Sequence, residues 1–363
     1  MSEFGSIPVY SPLLMGNEKK YVNECLDSAW ISSKGEFISR FEQKFAEDVG
    51  VRAATSVANG TFALHLALYT LGIGPGDEVI VPTLTYIASA NAIAYVGATP
   101  VFVDSVADTW NLDVARLKDA LSPRTKAIMS VPLYGNPCDM DAIAQFCHEH
   151  DLFHVEDAAE AFGSLYKGQK VGSFGDVASF SFYGNKTITT GEGGMLTSNN
   201  AELIARAAYI KNQGVSLTRE YWHDEIGFNF RMTNICAAIG LAQLENADSI
   251  LQQKRVIADW YRENLTGAPL AFQAVQDDVQ SSYWMVSVLA EDAEHRSRIR
   301  KRLKESSVET RPVFHPAHTM PVFHTEQSFP VAEDLASRGI NLPSYPALTR
   351  EQIRYICDLI RAA

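Results

Sequence analysis

Short apolar runs alternate with segments of helical periodicity over the first two thirds of the chain. The segments between the runs place apolar residues three or four positions apart, as in Phe37, Phe41 and Phe45. The predicted strands are 78–81, 101–103, 127–129, 152–155 and 178–182, and the predicted helices are a first helix capped by Asn17 and those at 36–48, 87–95, 140–148, 203–211 and 233–246. Short, fully apolar strands separated by helices are typical of a mostly parallel sheet covered on both faces. The pattern therefore predicts an α/β domain.

The last third of the chain has a different pattern. A long helix is predicted at 250–264, strands at 283–289 and 308–314, and helices at 296–305 and 351–360. This arrangement predicts a smaller C-terminal α+β domain. We expect a large α/β domain over residues 1–248, including the N-terminal segment, and the small domain over residues 249–363.

Composition narrows the classes of partner. The chain has 363 residues, of which 46% are hydrophobic and 20% charged, as in ordinary soluble proteins. Its 31 lysines and arginines against 43 acidic residues give a net charge of −12, which disfavours nucleic acid and anionic membranes as partners. The N-terminus has no secretory leader pattern and no apolar run reaches membrane-spanning length, so we expect a cytoplasmic protein without a membrane partner.

Cysteine and histidine positions do not favour a metal site. The five cysteines are an odd number without a CxxC pair, so we expect reduced, mostly buried thiols. Three histidines lie close together at His315, His318 and His324, but prolines separate them and no thiolate or carboxylate cluster accompanies them. The sequence therefore predicts no metal centre.

Two polar residues follow predicted strands. Lys186 comes after strand 178–182 and precedes a glycine-rich stretch, a setting that suits an amine forming a Schiff base with a cofactor aldehyde. Asp157 follows strand 152–155, at the edge where open α/β sheets bind ligands, and could pair with a pyridinium nitrogen. Taken singly, Lys186 would be interpreted as a solvated surface lysine, and Asp157 could equally be a helix cap.

A third element could bind phosphate. Asn59, Gly60 and Thr61 form a turn of small residues that opens a predicted helix, and free amide groups at a helix N-terminus bind anions. Many helices begin in this way, so the turn alone carries little weight. Together with Lys186 and Asp157 in one α/β domain, it points to an aldehyde cofactor that bears a phosphate group.

Seven motifs occur along the chain in a specific order: residues 56–61, 77–86, 97–104, 156–160, 179–182 with Lys186, 191–194 and 227–232. In these motifs the chain resembles a known family, the fold-type I pyridoxal-phosphate aminotransferases of the DegT/StrS sugar aminotransferase group. The resemblance extends from Val9 to the C-terminal helix. This resemblance implies a mostly parallel sheet of seven-stranded type with a smaller C-terminal α+β domain.

The resemblance also implies a cofactor and a set of residues that contact it. The cofactor is pyridoxal 5'-phosphate, with pyridoxamine phosphate as its amino form, and Lys186 is the Schiff-base lysine. Glu160 stands where many members carry glutamine beside the ring hydroxyl. Asn229 matches a residue that reaches the phosphate from a second subunit, which implies a homodimer and leaves a tetramer of two dimers open. The remaining matches are Asp157 for the ring nitrogen, Tyr86 for the ring face, and Gly60, Thr61 and Ser181 for the phosphate.

A closer resemblance concerns the substrates. Residues 25–33, 184–191, 221–222 and 309–318 are similar to members that transfer the amino group of L-glutamate to C-4 of GDP-4-keto-6-deoxy-D-mannose. Arginine suits a pyrophosphate because its planar fork makes paired hydrogen bonds. The candidate contacts to the GDP-linked keto sugar are Trp30, Ser32, Ser33, Arg311 and His315, and a purely structural role for these residues stays open.

Three other functions compete with this one. A pyridoxamine-phosphate-dependent sugar dehydratase of the same fold typically has histidine at the position of Lys186. A nicotinamide-dependent dehydrogenase needs a GxGxxG turn after its first strand, and the glycine runs at 72–76 and 191–194 do not supply one. A regulator built on the same fold should lack Lys186 or Asp157, and both are present. Amination of another 4-keto or 3-keto nucleotide sugar remains an alternative within the enzyme class.

Overall fold

A seven-stranded sheet forms the centre of the first two thirds of the computed structural model, which describes residues 4–363. The described residues form fourteen β-strands, which belong to this sheet and to two smaller ones. The strands are β1 (Ala53–Val57), β2 (Glu78–Pro82), β3 (Thr99–Val103), β4 (Thr125–Ser130), β5 (Phe153–Asp157), β6 (Leu165–Tyr166), β7 (Gln169–Lys170), β8 (Val177–Ser181), β9 (Gly194–Ser198), β10 (Leu270–Phe272), β11 (Val279–Gln280), β12 (Val286–Ala290), β13 (Arg311–Pro312) and β14 (Gly339–Leu342). The helices are α1 (Glu18–Asp27), α2 (Glu36–Val49), α3 (Gly60–Thr70), α4 (Ala88–Tyr95), α5 (Leu117–Ala120), α6 (Met140–His150), α7 (Ala201–Ile210), α8 (Asn234–Glu245), α9 (Ala247–Leu265), α10 (Ala293–Glu305), α11 (Pro330–Arg338) and α12 (Arg350–Arg361).

The large sheet has the order β1-β9-β8-β5-β4-β2-β3, and β9 alone runs antiparallel to its neighbours. Successive residues of a strand face opposite sides of the sheet. In β2, Val79 and Val81 join one hydrophobic core while Ile80 joins the other. Helices α3, α4 and α7 cover the first side, and α2, α6 and α8 cover the second. The predicted α/β class with a mostly parallel seven-stranded sheet is confirmed.

A smaller antiparallel sheet, β10-β12-β14-β13, lies in the last third of the chain. Helices α9, α10 and α12 pack on it and form a third core. Ile7 belongs to this third core and pairs with Val308, so the N-terminal segment packs against the C-terminal part of the chain. A further short sheet has the order β11-β6-β7.

The predicted domain division at residue 248 falls in the first turn of α9. Ala247, Ile250 and Leu251 pack in a core of the large sheet, whereas Ile257 and Ala258 pack in the third core. The helix therefore joins the two parts without a linker. The division itself stays a prediction, and residues 1–3 of its first domain lie outside the described part of the chain.

Several local expectations are wrong. Asn17 precedes α1 but makes no capping hydrogen bond, because its side chain bonds Glu245 instead. The strand expected at 283–289 begins only at Val286, since Tyr283 has a φ of 48° and breaks the extended backbone. The strand expected at 308–314 shrinks to Arg311–Pro312, because proline has no N–H with which to extend a strand ladder.

Two further structural findings concern membranes and metals. Within residues 4–363, no helix has both the length and the apolar character required to cross a bilayer. The same part of the chain holds no group of three histidine, cysteine or carboxylate side chains placed to bind a metal ion. All five cysteines are free thiols, and all except the half-buried Cys236 are buried.

Candidate active site

The candidate site lies at the carboxyl edge of the parallel strands β5 and β8. Asp157 ends β5, Ser181 ends the neighbouring β8, and Lys186 follows five residues later. Because parallel strands end at the same sheet edge, the fold brings together residues that are distant in the sequence. This edge is where open α/β sheets place their ligands.

The Asp157 carboxylate is buried and held from two directions. Ser89 donates a hydrogen bond to Oδ2 at 2.6 Å, and the Ala159 N–H donates to Oδ1 at 3.3 Å. Burial raises the pKa of Asp157, while the two donors and the charge of Lys186 act against that shift. Thr85 lies 2.8 Å from the Ser89 hydroxyl and continues the network. The arrangement fixes one carboxylate at the sheet edge, ready to pair with a cation.

A second buried carboxylate, Glu160, lies beside the first. It accepts a hydrogen bond from the main-chain N–H of Tyr134 at 2.8 Å. Burial raises the pKa of Glu160 to about 7, and the nearby Lys186 opposes that rise. Glu160 therefore keeps a proton to a higher pH than an exposed glutamate and can act as a hydrogen-bond donor.

The Lys186 amine lies over an aromatic ring and close enough to both carboxylates to feel their charges. Its Nζ is 3.8 Å from the centre of the Trp284 ring. Burial lowers the pKa of Lys186, and the charges of Glu160 and Asp157 partly oppose the change. The neutral amine needed for nucleophilic or base chemistry therefore forms at a lower pH here than on a surface lysine.

Gly60 and Ser181 form the candidate phosphate cradle. The Asn59 side chain caps α3 by accepting from the Phe62 N–H at 2.8 Å, which leaves Gly60 and Thr61 in the first turn. A Cβ on Gly60 would lie 2.7 Å from Cβ of Ser181, so only glycine permits this approach between helix and strand. Helix N–H groups and a hydroxyl thus meet in one place.

Tyr86 lies at the same sheet edge with an exposed side chain. Its main-chain oxygen accepts from the N–H of Ser89, and its ring is 5.6 Å from that of Phe314. The tyrosine is 56% exposed, which leaves a ring face available to a ligand.

Other predicted site residues form no hydrogen bond or ion pair with Asp157, Glu160 or Lys186. The main-chain oxygens of Trp30 and Ser32 accept from Asn234, and Ser33 lies in the same α1–α2 loop. Arg311 pairs with Glu309 at 2.7 Å, and His315 is exposed. Asn229 is also exposed, and its side chain accepts from Arg231. Their predicted roles stay predictions.

Three residues that shape this site are absent from the sequence-based prediction. Ser89 orients Asp157, Trp284 lies under the Lys186 amine, and Tyr134 supplies the N–H that Glu160 accepts. The spacing of Ser89 from Thr85, one helical turn, is a local signal for their contact. Nothing in the sequence pattern links Trp284 or Tyr134 to the lysine.

Residues 12–361 match the model of the DegT/DnrJ/EryC1/StrS aminotransferase family, and the chain belongs to this family. The protein is therefore an enzyme of the aminotransferase class, as the resemblance of its motifs implied. It is 58% identical over 355 residues to a GDP-perosamine synthase of Escherichia coli O157:H7, covering 98% of this chain and 97% of that one. A GDP-perosamine synthase of Vibrio cholerae is 48% identical over 360 residues, with 98% of each chain covered.

A solved structure supports the same placement. The PLP-form structure of Spr1654 from Streptococcus pneumoniae superposes with a TM-score of 0.94 at 31% identity. The match covers 98% of each chain. Both the large sheet and the C-terminal part are thus shared with a solved member of this structural group.

Proposed function

We propose that the enzyme uses pyridoxal 5'-phosphate to transfer the amino group of L-glutamate to C-4 of GDP-4-keto-6-deoxy-D-mannose. The products are GDP-perosamine and 2-oxoglutarate. The observation that carries the proposal is the grouping of Lys186, Asp157 and Glu160 at one sheet edge, in a chain similar over nearly its full length to two GDP-perosamine synthases.

The residues at this edge fit the cofactor. Gly60 approaches Ser181 closely because glycine has no Cβ, and the N–H groups of the first turn of α3 suit a phosphate. Asp157 suits a protonated ring nitrogen, and Glu160 suits the ring hydroxyl. Lys186 offers the amine for the aldehyde, and Tyr86 offers an aromatic face.

Bound pyridoxal phosphate supplies an electron sink that delocalises the charge left when a proton is removed from the amino acid α-carbon. The chain supplies the proton transfer, because the neutral Nζ of Lys186 accepts a proton and, once protonated, returns it. Asp157 holds a negative charge in a fixed orientation, since Ser89 and Ala159 both donate to it. Such preorganised charge needs no rearrangement during the reaction.

We also propose a homodimer in which Asn229 reaches the phosphate of the second subunit. The exposed side chain of Asn229 supports this proposal. Further support comes from the same loop, where Leu217, Tyr221 and Ile226 are 93%, 98% and 81% exposed. Apolar side chains so exposed are common at protein interfaces.

The substrate proposal is tested by following the nitrogen. The enzyme is incubated with ¹⁵N-labelled L-glutamate and GDP-4-keto-6-deoxy-D-mannose, and the product is analysed by mass spectrometry and NMR. We expect the label on C-4 of the GDP-linked sugar. Label on C-3, or preference for a keto sugar linked to another nucleotide, contradicts the proposed substrate. Either result is still consistent with an aminotransferase. A sugar that loses a hydroxyl and gains no nitrogen indicates dehydratase chemistry.

Gly60→Ala is expected to weaken cofactor binding by about tenfold or more, equivalent to about 1.4 kcal/mol. The added methyl group meets the Ser181 side chain and separates the start of α3 from the end of β8. Fluorescence titration of cofactor-free protein with pyridoxal phosphate measures the change. Gly74→Ala is the matched control, because its Cβ meets nothing closer than 3.8 Å. Equal affinities for the two variants contradict the cradle.

Glu160→Gln is expected to change how stability depends on pH. Burial raises the pKa of Glu160 from 4.5 to about 7, so the folded protein binds this proton more tightly than the unfolded chain does. The free energy of unfolding of cofactor-free wild type should then fall, relative to the glutamine variant, as pH rises through this window, by at most about 1.4 kcal/mol per unit. Above pH 7 the difference should level off. Urea unfolding between pH 5 and pH 8 measures this difference in the free energy of unfolding. If the two proteins show the same dependence on pH, Glu160 is not a buried glutamate that keeps its proton.

A further inference from the structure

Lys254 is a fully buried lysine without an ion-pair partner. It lies in α9 and is 1% exposed, and no carboxylate of residues 4–363 pairs with it. Burying an amine without a counter-charge is unfavourable, and an apolar residue of similar length would avoid that cost. The position of the amine therefore calls for a role that an apolar side chain cannot fill.

Three electron-rich groups converge on the Lys254 amine. Its Nζ donates to the main-chain oxygen of Ser344 at 2.5 Å and to that of Trp284 at 3.3 Å. The third group is the ring of Tyr10, whose centre lies 5.3 Å from Nζ. One amine thus joins the N-terminal segment, the chain before β12 and the chain after β14. Burial lowers the pKa of Lys254 to about 7, and all three contacts favour its charged form.

Two of these residues, Trp284 and Tyr10, use other atoms to hold the main chain at Lys186. Trp284 donates from Nε1 to the main-chain oxygen of Asn185 at 2.7 Å. Tyr10 donates from its hydroxyl to the main-chain oxygen of Lys186. Trp284 also lies under the Lys186 amine. The main-chain oxygens of Asn185 and Lys186 therefore each accept a hydrogen bond from a side chain. Lys254 contacts both residues that donate these bonds.

We propose that Lys254 is a positioning residue for Lys186, acting through Trp284 and Tyr10. It contacts neither carboxylate of the site and does not itself move a proton in the reaction. Because the part of α9 that follows Lys254 packs in the third core, Lys254 also connects the packing of the C-terminal part to the reactive lysine. The inference rests on the proposed function in that Lys186 is taken as the reactive amine.

The test is Lys254→Met, which keeps most of the length of the unbranched side chain and removes its donors. Without the hydrogen bond from Lys254, Trp284 should no longer be held against the Lys186 amine. The amine should then become better solvated, and the pKa of Lys186 should rise by about one unit or more. In the holoenzyme, where the Lys186 nitrogen is bonded to the cofactor, the pH at which the visible cofactor band changes should shift in the same direction. In cofactor-free protein, a small acylating reagent that reacts with amines reports the same shift without catalysis. The pH dependence of Lys186 acylation is read by peptide mass spectrometry.

Control variants separate positioning from folding. Lys301→Met removes a lysine that is 77% exposed and should leave both readings at their wild-type values. Lys254→Arg retains N–H donors, so the pKa of Lys186 should lie closer to its wild-type value in this variant than in Lys254→Met. Tyr10→Phe removes one hydroxyl and should shift the Lys186 pKa in the same direction by less, and the double variant with Lys254→Met should shift it by less than the sum of the single effects.

The outcomes are distinct. A folded Lys254→Met protein whose Lys186 pKa matches that of Lys301→Met overturns the proposal, even if its melting temperature is lower. If Lys254→Met does not fold, Tyr10→Phe decides, and an unchanged Lys186 pKa in that variant overturns the proposal. A wild-type protein without a visible cofactor band contradicts the proposed function instead, and the acylation readings on cofactor-free protein still decide the role of Lys254.

Discussion

Lys186→Ala is expected to reduce turnover by roughly 10⁴-fold, at the upper end of the effect of a positioned acid–base group. The size of the loss reflects two tasks of one amine. In the proposed mechanism, it attaches the cofactor aldehyde and moves the proton between substrate and cofactor. No other lysine is positioned over Trp284 in the described chain, so none can replace it. Steady-state kinetics with L-glutamate and the keto sugar measure the effect.

Two further variants serve as controls for this prediction. Lys186→Arg retains the positive charge but offers no readily neutral amine, so it should be nearly as inactive. Lys44→Ala changes a lysine of α2 that is 55% exposed and should turn over like the wild type. Wild-type turnover by Lys186→Ala contradicts the assignment of the reactive lysine and leaves a non-catalytic or different role for this site.

Asp157→Asn is expected to lower the turnover number by roughly 10²- to 10³-fold, as found when one preorganised electrostatic partner is removed. Asparagine fills the same volume and can accept from Ser89, but it carries no charge to keep the cofactor ring nitrogen protonated. The neutral ring withdraws electrons less effectively from the reacting carbon. Comparison of the turnover numbers, with cofactor content measured for each variant, gives the effect.

Ser89 variants test whether the orientation of Asp157 matters as well as its charge. Ser89→Ala removes a donor to a charged acceptor, a hydrogen bond typically worth about 1.5–3 kcal/mol, so activity should fall about tenfold or more. Ser89→Thr keeps the hydroxyl and should retain most of the activity. If Asp157→Asn and Ser89→Ala both turn over like the wild type, the charge at this edge has no part in the reaction.

Local patterns were sufficient for the elements that carry the predicted site. The spacing of Phe37, Phe41 and Phe45 identified α2, and all three residues are buried. The apolar run that ends near Asp157 identified β5 and placed this residue at the ligand-binding edge. These predictions succeed because burial within one helix or strand leaves a periodic trace in the sequence.

Contacts between distant segments leave no such trace. Ser89 and Asp157 are 68 positions apart, and Trp284 and Asn185 are 99 apart. Tyr10 reaches Lys186 from the N-terminal segment, which shows no periodicity of its own. Strands β1 and β9 were also missed, because their small and polar residues resemble loop sequence although most of them are buried. The proposed network around Lys254 could therefore be found only in the folded chain.

The most direct test of the central claim is the absorption spectrum of the cofactor-loaded protein at neutral pH. We expect a visible band from lysine-bound pyridoxal phosphate. Addition of L-glutamate should replace it with the near-ultraviolet band of pyridoxamine phosphate, and GDP-4-keto-6-deoxy-D-mannose should then restore it. A wild-type spectrum without the visible band, or a band that L-glutamate leaves unchanged, contradicts the account, as does a Lys186→Ala protein that behaves identically.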